Sequence, residues 1–323
     1  TVAAFEIDNV SQGNSTYSHS TGGAATTNDT LFVNNTGILT VAAQVALAYV
    51  DIDLAGTGNG TAIADADEGV AGAQAGTFGT DVFATIQEAI DAVSTGGTII
   101  INSGAYAETI TLNNGKTLEI TGPDLAGAVT IDNLSSVAGT EIAIEGSSVL
   151  TVNNSADVEI AGIISGTGAL TKTGAGSLTL SGANTYEGTT TVSAGAIVAS
   201  NNSALGSTIS GTTVASNAAI RLTDGITITG ETASIAGNGG NFSGAIQTDV
   251  NATATWAGDV VLTATGRLGS LAGGTLTVTG DVGQNGGTRI LQVSVNTGDG
   301  TVVLSGTTSY TGRTEILSGT LAH

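Results

Sequence analysis

Short runs of alternating apolar and polar residues follow one another along most of the chain. From Thr98 onward these runs are four to seven residues long, as in Thr117–Thr121 and Glu141–Glu145. A period of two residues places apolar side chains on one face of a β-strand and polar side chains on the other. Turns rich in glycine and asparagine separate the runs. The pattern predicts a succession of short strands, including one over Val158–Ile164.

Only one segment has helical periodicity. Its apolar residues recur three or four positions apart and are Phe83, Ile86, Ala89, Ile90 and Val93. We expect Asp81 to cap the N-terminus of this helix and Gly96-Gly97 to end it. A short amphipathic helix directly before a series of strands is suited to closing the end of a β-solenoid, where apolar side chains and unpaired backbone groups would otherwise be exposed.

The strand region contains an internal repeat. Gly174–Ile197 aligns without a gap with Gly298–Leu321, with identical residues at nine of 24 positions and an offset of 124 residues. This offset is too long for one turn of a solenoid, so the same type of turn is expected to recur several turns later. One such unit cannot bury its apolar face alone, whereas stacked units bury it and pair their backbones.

These patterns together predict an all-β fold, a right-handed parallel β-helix with a short N-terminal capping helix, over residues 81–323. Residues 1–80 are predicted to be an irregular β segment followed by an acidic loop. Within that segment, residues 1–48 lack the repeat pattern. They are expected to form either a small β-cap or an arm that pairs with another subunit.

Two stretches resemble known families. Phe83–Val93, followed by Gly96–Ile101, Gly104–Ile110 and Lys116–Gly122, is similar to the N-terminal entry of pectin-lyase-like right-handed β-helices, which many bacterial surface proteins share. Residues 160–198 resemble the passenger-associated repeat of autotransporter adhesins, and residues 298–321 are a second, weaker copy. The resemblance implies secretion, a β-helical passenger, and a stalk or adhesive role.

Charge and composition limit the classes of partner that the chain is expected to bind. The chain has 27 acidic and 6 basic residues, a net charge of −21, and no cysteine or methionine. Because the basic residues are scattered, we expect no binding to nucleic acid and no attraction to anionic lipid. No apolar stretch reaches membrane-spanning length, so we expect no membrane insertion. The missing methionine indicates a processed chain or a fragment, and removal of a signal peptide would place the protein outside the cell or on a bacterial surface.

The best metal candidate is calcium. Hard oxygen ligands cluster in one short segment: Asp51, Asp53, Asn59, Asp65, Asp67 and Glu68. The segment begins like an EF-hand loop, but Ala55 and Ala62 stand where further ligands are required. The alternative is a solvated acidic loop without a metal.

No catalytic constellation emerges, so we expect no enzymatic activity and no catalytic residue. Polysaccharide lyases and hydrolases also use this fold and remain the alternative, with acids facing one groove beside Arg221 or Arg267: Asp224, Asp249, Asp259 and Asp281. Tyr186 and Tyr310 occupy the same repeat position and are expected to pack at corners.

The predicted function is that of an extracellular structural protein. The chain would act as a cell-surface adhesin or stalk, or as a subunit of a filament or surface layer. Expected partners are further copies of the chain, joined end to end, and a surface receptor or polysaccharide.

Overall fold

The computed structural model describes residues 6–7, 10–11, 29–33, 37–41, 44–64, 66, 75–101, 104–112, 117–120, 128–136, 138–144, 146–147, 149–240, 244–296 and 300–323. The chain divides into two units, residues 1–43 and 44–323. In the first unit, Glu6–Ile7 pairs with Val10–Ser11, and Asp29–Val33 pairs with Gly37–Val41, both antiparallel.

The second unit is a parallel β-solenoid, as the alternating pattern predicts. Each turn of the chain visits three faces in the same order, and strands on each face pair in parallel with those of the next turn. The first face contains Val45–Val50, Val82–Phe83, Val93–Ile101, Thr117–Ile120, Glu141–Ile144, Ile163–Ser165, Thr227–Thr229, Thr253–Ala257, Thr275–Val278, Thr301–Leu304 and Thr320–Ala322.

The second and third faces belong to one continuous sheet. The second face contains Val149–Asn153, Ala169–Thr173, Thr190–Val192, Thr212–Val214, Ala233–Gly237 and Val282–Gln284. The third face contains Val158–Ile160, Ser177–Leu180, Gly195–Ala199, Ala218–Leu222, Ile246–Thr248, Leu291–Asn296 and Thr314–Ile316. Three longer strands run across both faces and are Gly104–Leu112, Ala128–Ser136 and Val260–Leu271.

Aliphatic side chains of successive turns stack into columns inside the solenoid. One column on the third face is in register over seven strands and consists of Leu178, Ile197, Ile220, Ile246, Leu268, Val293 and Ile316. Its members other than Ile316 are buried. The burial of successive aliphatic layers supplies the main stabilisation of this fold, because each turn buries its apolar face only against its neighbours.

The predicted helix is present as Ile86–Ala92, but its boundaries differ from the sequence prediction. The N-cap is Thr85, whose hydroxyl accepts a hydrogen bond from the Glu88 amide at 3.3 Å. Asp81 instead accepts the Thr77 amide at 2.6 Å, in the preceding turn. The prediction of Asp81 as the cap was therefore wrong, because both residues have capping side chains and only Thr85 lies next to the first helical turn. The helix also ends at Ala92, and Val93–Ile101 continues as a strand.

The corner between the first and second faces requires glycine. A Cβ atom at Gly280 would lie 2.0 Å from the carbonyl oxygen of Gly258, and one at Gly306 would lie 2.1 Å from that of Gly280. Consecutive turns approach too closely here for any side chain. Within the described residues, no helix is long and apolar enough to cross a membrane.

Candidate functional site

A lysine is buried inside the solenoid. Lys172 lies in register between Val152 and Val192 on the inward side of the second face and is fully buried. Its ammonium donates hydrogen bonds to three backbone carbonyl oxygens, those of Thr173, of Gly174 at 2.9 Å and of Ala194 at 3.3 Å. Burial lowers the pKa of Lys172 to about 8, which the nearby charge of Asp157 opposes.

A buried carboxyl group lies at the corner between Thr227–Thr229 and Ala233–Gly237. Glu231 is 2% exposed and accepts the Thr212 hydroxyl at 2.6 Å through Oε1, whereas its buried Oε2 has no hydrogen-bond partner among the described residues. Burial raises the pKa of Glu231, and the hydrogen bond from Thr212 opposes this effect. Thr212 is in register with Thr190, whose hydroxyl bonds to the buried Tyr186 hydroxyl at 2.6 Å. Two buried hydrogen-bonded pairs, Tyr186 with Thr190 and Thr212 with Glu231, therefore lie on neighbouring turns.

Replacing Glu231 with glutamine should change how stability depends on pH. The raised pKa means that the folded state holds a proton that the unfolded state has lost, so this group's stabilising contribution is complete below the unfolded pKa and falls as pH rises through the folded one. Glu231→Gln keeps the acceptor for Thr212 and cannot ionise. We expect urea unfolding to show the variant gaining stability relative to wild type from pH 4 to pH 8.

The exposed Glu187 provides the matched control. Glu187→Gln removes one negative charge at an exposed position and controls for the change in net charge. In Glu231→Gln the buried amide group adds a constant cost, on the order of 1–3 kcal/mol for an unpaired polar group, which cancels in the slope. Parallel profiles for Glu231→Gln and wild type would mean that Glu231 does not titrate in the fold.

The four acids considered for catalysis do not face one groove. Asp224 and Asp249 follow strands of the third face, whereas Asp259 and Asp281 lie at the corner that follows the first face. Asp249 pairs with Arg221 at 2.6 Å. The other three accept backbone amides across turns: Asp224 from Thr253 at 2.8 Å, Asp259 from Asp281 at 2.9 Å, and Asp281 from Thr307 at 2.9 Å. The hydrogen bonds from Thr307 lower the pKa of Asp281. These carboxylates join neighbouring turns.

The predicted calcium loop is described in part. Asp51 caps the short 3₁₀ helix Ile52–Leu54 by accepting the Asp53 amide at 2.9 Å, and Asp53 and Asn59 are exposed. Asp65, Asp67 and Glu68 lie outside the described residues. Among the described residues, no group of three or more His, Asp or Glu side chains is placed to hold a metal ion. Calcium binding by the whole loop therefore stays a prediction from the sequence.

The two repeat copies share a corner contact. The Tyr186 hydroxyl bonds to Thr190 at 2.6 Å, and the Tyr310 hydroxyl bonds to Thr314 at 2.5 Å, so both tyrosines pack at corners as predicted. The copies lie on different faces, however, because Ser177–Leu180 is on the third face and its partner Thr301–Leu304 is on the first. The repeat therefore encodes a strand and a corner rather than a fixed position in the solenoid.

Sequence reasoning missed the two buried ionisable groups. Lys172 occupies an apolar position in the alternation Leu170-Thr-Lys172, which was an available signal. Glu231 follows a glycine in a turn, and nothing in the sequence distinguishes it from a solvated residue. Two surface depressions are lined by neutral side chains only, the first by Asn202, Ser203, Gly206, Ser207, Thr208, Thr227 and Thr229, and the second by Thr208, Ile209, Ser210, Gly211, Thr212, Thr213, Thr232 and Ser234.

The fold and these contacts define a class of protein, a parallel β-solenoid built from repeated turns. The model of the passenger-associated-transport-repeat family matches residues 170–199 and 295–322. No curated protein and no solved structure shows a significant match to the chain. The repeats and the solenoid together support an autotransporter-passenger-like β-helix protein. The repeat family points to a surface or extracellular location.

Proposed function

We propose that the solenoid serves as a rigid, non-catalytic stalk in a surface passenger. The observation that carries this proposal is the use of polar side chains as links between turns. Asp259 and Asp281 accept amides of the following turn, and Asn184 joins the Ile164 amide to the Ala204 carbonyl across two turn boundaries. Side chains that are hydrogen-bonded to the backbone of a neighbouring turn stiffen the solenoid along its axis and are not free to act on a substrate.

Electrostatics supports the same proposal. Catalysis on polysaccharides in β-helices requires clustered acids, with a base or cation where charge develops. Here the candidate acids are divided between two corners, and the two described depressions contain no ionisable residue. A carbohydrate-active enzyme is the alternative. Release of unsaturated or reducing sugars from acidic polysaccharides by the purified chain would favour that alternative.

Negative-stain electron microscopy over a concentration series tests the stalk proposal. We expect isolated short rods at every concentration, because a stalk need not associate end to end. Filaments that lengthen with concentration would instead assign the chain to a self-assembling structure, and deletion of residues 1–48 would then show whether that segment joins subunits. Parallel grids with and without calcium test the acidic loop, since filaments or rods that change with calcium would implicate it.

A further inference from the structure

Threonine side chains form two parallel columns on the first face. One column, in register over four strands, consists of Thr253, Thr275, Thr301 and Thr320. The adjacent column, in register over three strands, consists of Thr227, Thr255 and Thr277. These seven residues are called the threonine array below. The second column continues with Val303 and Ala322.

The array points away from the core. The alternating positions on the same strands are buried and include Ala254, Trp256, Leu276 and Val278, so the threonines between them face solvent. All seven threonines are exposed or half-buried. Within the described part of the chain, their hydroxyl groups make no hydrogen bond to the protein. Each hydroxyl is therefore available to an external partner as both donor and acceptor.

The array is periodic in two directions and held rigidly. Paired strands lie about 4.8 Å apart, and residues two apart on a parallel strand are separated by about 6.6 Å. Every strand of the array except the two outermost is paired on both sides. Beneath the array, Trp256 lies in register between Ile228 and Val278 and is fully buried. Since threonine is also restricted at χ1, the hydroxyls and methyls occupy a fixed lattice.

The chemistry of the array selects among partners. Neither column contains an ionisable residue, although the chain has a net charge of −21. The Asp224 carboxylate accepts the Thr253 amide at one edge of the array, so the threonines themselves offer no counter-charge to a charged ligand. Neither column contains an aromatic ring on which a sugar could stack. The matching partner is a neutral surface that offers alternating hydrogen-bond donors and acceptors with a regular spacing.

We propose that the threonine array binds the surface of ice. Water molecules at the surface of an ice crystal are both donors and acceptors, carry no net charge, and repeat in two directions at spacings close to those of the array. Hydroxyls fixed in this arrangement hold water in positions that continue the crystal, and the methyl groups fill the spaces between them. Because the lattice is preorganised, little conformational freedom is lost on contact.

Ice growth in dilute solutions of the purified chain tests the proposal. We expect faceted crystals, a gap between melting and growth temperatures, and slowed recrystallisation. Thr275→Lys and Thr277→Lys should abolish all three effects, because a long charged side chain holds the surface away from the ice. Thr171→Lys and Thr191→Lys are the matched controls, since these threonines form an in-register column on the second face, and both should retain wild-type behaviour.

Rounded, freely growing crystals with the wild-type chain would overturn the proposal. Equal loss in the control variants would also overturn it, because the first face would then have no special role. Array-dependent retention on insoluble neutral polysaccharide, without any effect on ice, would reassign the surface to a glycan. Far-UV circular dichroism of each variant establishes that it is folded. The test is independent of the stalk proposal, since rods in micrographs do not require ice binding.

Discussion

Replacing Trp256 with alanine is expected to cost about 3–5 kcal/mol of folding free energy. Trp256 is the only tryptophan of the chain and one of its largest fully buried side chains. It lies in register between Ile228 and Val278, so its removal leaves a cavity that spans the contact with both neighbouring turns. Stacked turns bury their apolar side chains against their neighbours, so the loss of packing should extend to the adjacent turns of the first face. Urea unfolding followed by far-UV circular dichroism measures the loss.

Two further variants separate the cavity from other effects. Trp256→Phe should cost much less than alanine, because it retains most of the apolar area and removes the indole N–H, which is buried without a hydrogen-bond partner among the described residues. Thr255→Ala, on the outward side of the same strand, should change stability by no more than about 0.5 kcal/mol. An unfolding midpoint unchanged in Trp256→Ala would show that the tryptophan does not pack as described.

The fold could be predicted because the alternation of apolar and polar residues that specifies each strand is contained within a few neighbouring positions. Alternation located Thr117–Ile120 and Glu141–Ile144 to within one residue, because each strand buries one of its two sides. The same rule failed at Val158–Ile164, which forms two strands, Val158–Ile160 and Ile163–Ser165. A Cβ atom at Gly162 would lie 2.1 Å from the Thr140 hydroxyl oxygen, so the chain turns a corner there. Whether a glycine bends a strand depends on the adjacent turn, which alternation does not reveal.

The placement of each repeat copy could not be predicted for a related reason. Val149 pairs with Ala169, a step of 20 residues, whereas Thr227 pairs with Thr255, a step of 28 residues. An offset of 124 residues therefore corresponds to no whole number of turns, and the second copy begins on another face. The threonine array and the buried Glu231 also depend on which turns lie next to each other. The threonine array needs the register of five strands, and Glu231 is buried by turns before and after it.

Raising the pH from 7 to 9.5 should stabilise the fold through Lys172. The pKa of this lysine is about 8 in the fold, compared with its ordinary value of 10.5, because burial disfavours the ammonium. Between these two values the unfolded chain holds a proton that the folded chain has released, so stability rises with pH in this window. The full difference between the two pKa values corresponds to at most about 3 kcal/mol of folding free energy, and screening by water near the ammonium reduces it. The larger part of this stabilisation is gained by pH 9.5. Urea unfolding at several pH values measures this rise.

Two substitutions identify Lys172 as the source of the rise. Lys172→Met cannot titrate and Lys172→Arg stays charged, so both should lack the increase for opposite reasons. Absolute stability is a poorer readout, because methionine leaves the carbonyls of Gly174 and Ala194 without their donor. The window must end near pH 9.5, since burial raises the pKa of Tyr186 and the tyrosines of the unfolded chain begin to ionise near pH 10. An equal rise in all three proteins would show that another group is responsible and that Lys172 titrates as it does in water.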